Sequence, residues 1–86
     1  MVDIKILGIP ESQRTLELTS RVHAALEYLK IETKIITEGD LQKLISYNLS
    51  GIPALAINDE VVFQKDLPNL EEIINTIEEL MKIDQN

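Results

Sequence analysis

An α/β fold is predicted for this chain: a four-stranded mixed sheet flanked by three helices, in the order strand, helix, strand, helix, strand, strand, helix. Three observations predict it. Long segments near the start and at the end carry apolar residues at intervals of three and four, the period of a helix with one buried stripe. Short β-branched runs alternate with them, and the last two of these runs sit on either side of Asn58-Asp59-Glu60, as in a hairpin.

Each element has its own signal. Between Asp3 and Gly8, Ile4 and Ile6 alternate with Lys5 before Leu7 joins them, a strand that becomes buried on both faces near its end. Gly8, Pro10 and Ser12 break it. From Gln13 to Lys30, Leu18, Val22, Ala25, Leu26 and Leu29 form a single stripe on the first long helix. Ile31 to Thr37 is β-branched and predicts the second strand. Asp40 is a cap residue for a short helix over Leu41 to Tyr47, with Leu41, Leu44 and Ile45 on one face and Asn48 closing it in a left-handed conformation. Ala54 to Ile57 and Val61 to Phe63 are the hairpin strands. Asn69 with Glu72 opens the final helix as a capping box, and Leu70, Ile73, Ile74, Ile77, Leu80 and Met81 supply its core face. A right-handed first crossover makes the first two strands parallel.

Composition limits the function. The 86 residues fit one domain, 1–86, able to bury roughly 65% of the surface its unfolded chain exposes. Fifteen acidic against eight basic residues give a net charge of -7, and no basic cluster could neutralise a row of phosphates or an anionic membrane. Nucleic-acid and membrane partners are not expected. No apolar run approaches the roughly 20 residues of a membrane span, and the first residues do not form a secretory leader, so a cytoplasmic location is expected. The absence of cysteine removes disulfides, thiolate metal sites and thiol nucleophiles. With one histidine, and with Glu71, Glu72, Glu78 and Glu79 spaced as a solvated helix face, no metal and no cofactor is expected. The glycines stand singly at 8, 39 and 51, which is not a phosphate loop.

The segment Ile52-Pro53-Ala54-Leu55-Ala56-Ile57-Asn58 followed by Val61-Val62, together with Ile6-Leu7-Gly8 and the helix run Leu18, Val22, Ala25, Leu29 and Ile31, resembles the thioredoxin fold. The similarity is greatest to the small thioredoxin-like and glutaredoxin-like redox-active disulfide proteins. It spans nearly the whole chain and implies a cis Ile52-Pro53 bond, whereas an X-Pro bond taken alone is cis in only about 5% of cases. Members of that family carry C-x-x-C at the end of the first strand, with the first thiolate stabilised at the helix start. This sequence departs there. Aligned on the helix stripe, Ser12 and Thr15 stand at the two cysteine positions; aligned on Gly8, Glu11 and Arg14 do. The first register keeps the stripe facing the core, because a one-residue slide rotates it by about 100°.

Without sulfur, thiol-disulfide exchange is not expected, since a serine hydroxyl forms no mixed disulfide. Ser12 is expected to cap the helix, a contribution of about 1 kcal/mol. His23 is expected on a helix flank and Arg14 at the exposed helix start. The resemblance implies a groove formed by Glu11, Ser12, Arg14 and Thr15 on one side and Gly51, Ile52 and Pro53 on the other. The leading reading is a non-catalytic module that binds a protein or extended peptide there. A second reading is a ligand-thiol site of glutathione type, with Ser12 donating a hydrogen bond. A third is a structural dimerisation unit using exposed apolar residues of the short helix or the edge strand at Val61 to Phe63.

Overall fold

The computed structural model describes residues 2–84, with side chains through Lys82. The elements run β1 (Ile4–Leu7), α1 (Gln13–Leu29), β2 (Ile35–Glu38), α2 (Leu41–Ser46), β3 (Ala54–Ile57), β4 (Glu60–Gln64) and α3 (Leu70–Asp84). The strands form one mixed sheet in the order β2-β1-β3-β4. β1 and β2 are parallel, with Ile4 opposite Ile35, and β3 runs antiparallel to both β1 and β4.

Side-chain alternation sends Ile4, Ile6, Leu55 and Ile57 to one face of the sheet. There they meet Leu18, Val22, Ala25 and Leu26 of α1 and Ile73 and Ile77 of α3, all buried. Leu7, Ala54 and Ala56 point the other way, against Leu44 of α2. The two central strands are therefore buried on both faces, which explains why Ala54–Ile57 reads as an unbroken apolar run.

Local chemistry sets most boundaries. Lys30 adopts the left-handed conformation (φ 56°), and the Ile31 N–H donates to Leu26 O at 2.9 Å, a Schellman closure of α1. That closure corrects the expected start of the second strand. Ile31 belongs to the helix end, the Thr33 hydroxyl donates to Val2 O at 2.9 Å, and pairing with β1 begins only at Ile35. Asp40 caps α2 by accepting from the Gln42 N–H, and Asn48 (φ 57°) follows the helix. Asn58 and Asp59 both have positive φ, which makes the two-residue hairpin loop type I′. At α3 the capping box is complete: the Glu72 N–H donates to Asn69 Oδ1 at 2.8 Å and the Asn69 N–H to Glu72 Oε1 at 3.1 Å.

Two apolar assignments need correcting. Leu44 is buried, but Leu41 and Ile45 on the same short helix are 70% and 68% exposed. Only Leu44 of the three packs against Leu7, Ala54 and Ala56 of the sheet. Leu70, in the first turn of α3, is also largely exposed, while Ile73 and Ile77 carry the core face. No helix among the described residues is long and apolar enough to cross a membrane.

Candidate functional site

The carboxyl end of β1, the start of α1 and the loop before β3 meet at Gly8. This residue is buried, and a Cβ added to it would stand 2.9 Å from Thr15 Oγ1 and 3.4 Å from Pro53 Cβ. Only a bare α-carbon lets helix and loop approach this closely. Thr15 is 2% exposed, the one buried polar side chain among the described residues. Pro53 is buried as well, and the Ile52-Pro53 peptide is cis.

Ser12 occupies the residue before α1 with extended backbone (φ -65°, ψ 136°), but its hydroxyl makes no capping hydrogen bond. This corrects the expected side-chain cap. The α1 start is held instead by the turn in which the Ser12 N–H donates to Ile9 O, and by the first helical bond, from the Leu16 N–H to Ser12 O. The Ser12 side chain is half-buried.

A second set of contacts fixes the loop. The Lys65 N–H donates to Pro53 O at 3.1 Å, and Arg14 Nη2 donates to Lys65 O at 2.7 Å. The Ser50 N–H donates to Gln64 Oε1 at 2.9 Å. The end of β4 thus ties the Pro53 loop to the start of α1 through the backbone of one residue. Lys65 is held in the left-handed region (φ 74°) to make both bonds. Arg14, expected from sequence at the exposed helix start, is exposed and has this backbone partner.

Gly8, Thr15 and Pro53 accordingly converge, Arg14 is linked to Pro53 through Lys65, and Ser12 stands at the start of the same helix. Glu11 is exposed in the turn before the helix. His23 is exposed on α1. Gly51 and Ile52 continue from Pro53 into an open apolar hollow of about 340 Å³ that also takes in Leu41, Leu44, Ile45, Asn48, Leu49 and Ser50.

A family model described as a thioredoxin domain matches residues 2–78, nearly all of the chain. The chain belongs to the thioredoxin-domain family. No curated protein matches it. This thioredoxin domain holds no cysteine, so the helix start that would carry a reactive thiolate offers hydroxyl groups instead. A hydroxyl lacks a thiol's acidity and forms no mixed disulfide, so this chain's own residues supply no thiol chemistry there.

Sequence reasoning missed Lys65. Lys65 acts through its backbone, which no side-chain pattern reveals. The Leu41, Leu44, Ile45 spacing marked one apolar face on α2, but not which of the three would meet the sheet. Among the described residues no three His, Cys, Asp or Glu side chains are grouped to hold a metal ion.

Proposed function

We propose that this thioredoxin domain is a redox-inactive binding module. It receives an extended protein or peptide segment in the groove between Glu11, Ser12, Arg14 and Thr15 and the loop Gly51, Ile52 and Pro53. The observation that carries the reading is the close meeting of Gly8, Thr15 and Pro53. A helix start is held against a proline loop although neither holds the sulfur that such an arrangement serves. The uncommitted Ser12 hydroxyl supplies a hydrogen-bonding group, and the exposed Ile52 an apolar contact, for a strand-like ligand.

The test is titration of the isotope-labelled protein with pools of extended peptides. Amide shifts centred on 12–15 and 51–54 are expected, with no reduction of insulin disulfides. Shifts confined to the far face of α1 and α3 would overturn it. The free Ser12 hydroxyl also favours the second reading, a small thiol held by a hydrogen bond from Ser12. Millimolar glutathione then raises the melting temperature of the wild type but not of Ser12→Ala.

A further inference from the structure

The apolar hollow beside the groove is a feature the binding reading leaves without a role. Leu41, Ile45 and Ile52 are 70%, 68% and 41% exposed around it. Its volume, about 340 Å³, falls at the small end of the range for ligand pockets, suited to one or two bulky side chains rather than a large cofactor. The hollow opens directly onto the groove, because Gly51 and Ile52 line it and Pro53 follows them in the chain.

Charge at its edge points to an occupant. A Cβ added to Gly51 would stand 3.1 Å from both Cβ and Cγ of Lys65, so the Lys65 side chain leaves from the edge of the hollow. Arg14 is bound to the carbonyl of the same residue. Lys5, Arg21 and Lys43 pair with Asp59, Glu17 and Glu38, but neither Arg14 nor Lys65 forms an ion pair among the described residues. Their sequence neighbours Glu11 and Asp66 are exposed and form none either. Lys65 thus starts its side chain at the edge of an apolar hollow while its carbonyl binds the Arg14 guanidinium, in a chain of net charge -7. Screening over about 8 Å at physiological ionic strength lets this local pair outweigh the distant acidic surface. The Arg14 guanidinium keeps N–H donors beyond the one given to Lys65 O, in a fork suited to a carboxylate.

We infer that the hollow receives a bulky aliphatic side chain of an extended peptide whose neighbouring residue is acidic, the carboxylate being held by Lys65 and Arg14. This inference rests on the groove reading and adds its specificity. A second copy of the chain is the poorer occupant. Glu38 and Asp40 lie next to the start of α2, and a symmetric contact between two chains of charge -7 brings like charges together.

The probe is an acetylated, amidated hexapeptide of serine and glycine with an adjacent Leu-Glu pair. Three companions replace Leu by Ala, Glu by Gln, or Glu by Lys. Titration of the labelled full chain is expected to shift both 12–15 with 51–54 and the α2 amides 41–45. Replacing Leu by Ala is expected to weaken binding about tenfold or more. The Gln peptide is expected to bind several-fold more weakly and the Lys peptide more weakly still. Lys65→Glu, at an exposed side chain, reverses the preference between the Glu and Lys peptides. Ile45→Glu removes the preference for Leu while leaving the melting temperature unchanged.

Equal affinity for all four peptides, with shifts at the groove, would overturn this inference and leave the groove reading standing. Silence from every peptide at millimolar concentration would overturn both. Concentration-dependent shifts at 41–45 without peptide, matched by a dimer in sedimentation, would assign the hollow to a second copy instead.

Discussion

Ser12 and Gly8 show how differently two small residues act at one site. Ser12 stands where a capping serine belongs, yet its hydroxyl accepts nothing from the helix. Ser12→Ala is therefore expected to change stability by less than about 0.5 kcal/mol, as for a surface substitution. Asn69→Ala, which removes a real capping bond to the Glu72 N–H, is expected to cost about 1 kcal/mol. Urea unfolding of the two variants side by side checks the contrast, and a Ser12→Ala loss as large as that of Asn69→Ala would restore the capping role. Gly8 works through what it lacks. Gly8→Ala places a methyl 2.9 Å from Thr15 Oγ1 inside the buried meeting of helix and loop, and a loss of about 1–3 kcal/mol is expected. Because the clash is with one hydroxyl, more than half of that loss should disappear in a Thr15→Ala background. An unchanged loss there would mean that Pro53, not Thr15, sets the limit.

At the scale of elements, legibility followed the mechanism behind each signal. α1 and α3 were readable because a 15- to 17-residue helix must repeat its buried stripe several times, and the Asn69–Glu72 box is local chemistry. The hairpin was readable because Asn58-Asp59 suits two consecutive positive φ angles. The start of β2 was not, since Ile31 is as apolar in a helix closure as in a strand, and only the Leu26 carbonyl decides between them. α2 was placed correctly, but a six-residue helix is too short for periodicity to tell a buried face from an exposed one. At the site, the resemblance singled out Thr15 and Pro53, which meet at Gly8, whereas the Lys65 backbone that joins Arg14 to Pro53 left no signal in the sequence. Lys5 links three elements in the same hidden way: on β1, its ammonium meets Tyr47 Oη at 3.5 Å after α2 and Asp59 at 3.6 Å in the hairpin loop. The hydrogen bond to Tyr47, then the nearby Tyr47 and Asp59 charges, raise its pKa above the ordinary lysine value. A raised folded-state pKa gives stability that is fully present below the unfolded value and lost as pH rises through the folded one. Wild type is therefore expected to keep a constant urea midpoint relative to Lys5→Met from pH 6 to 9 and to lose ground only above about pH 10.4. A relative change near neutrality would show that another group controls the linkage.

Across the whole molecule, the sheet divides the labour. α1 and α3 cover one face with most of the buried aliphatic residues, while α2 covers the other with little beyond Leu44. The heavily packed side holds the start of α1 in place, and the site stands at the end of the central strands where α1, β3 and the end of β4 meet. On this architecture, the chemistry of the site depends on two side chains and the fold does not. Restoring sulfur tests that directly. The Ser12→Cys, Thr15→Cys double variant puts one thiol at the residue before α1 and the other on its first turn, facing Gly8 and Pro53. The thiol at position 12 sits at the positive end of a 17-residue helix and is expected to titrate below the ordinary value of about 8.5, read from the pH dependence of its alkylation. The pair is expected to form an intramolecular disulfide and to reduce insulin in the presence of dithiothreitol faster than the reagent alone. Glu11→Cys with Arg14→Cys, the other register, is expected to do neither, because Glu11 lies in the exposed turn and Arg14 points to Lys65. If the second pair were active and the first inert, the helix-stripe register would be wrong, and the groove would have to be redrawn around Glu11 and Arg14.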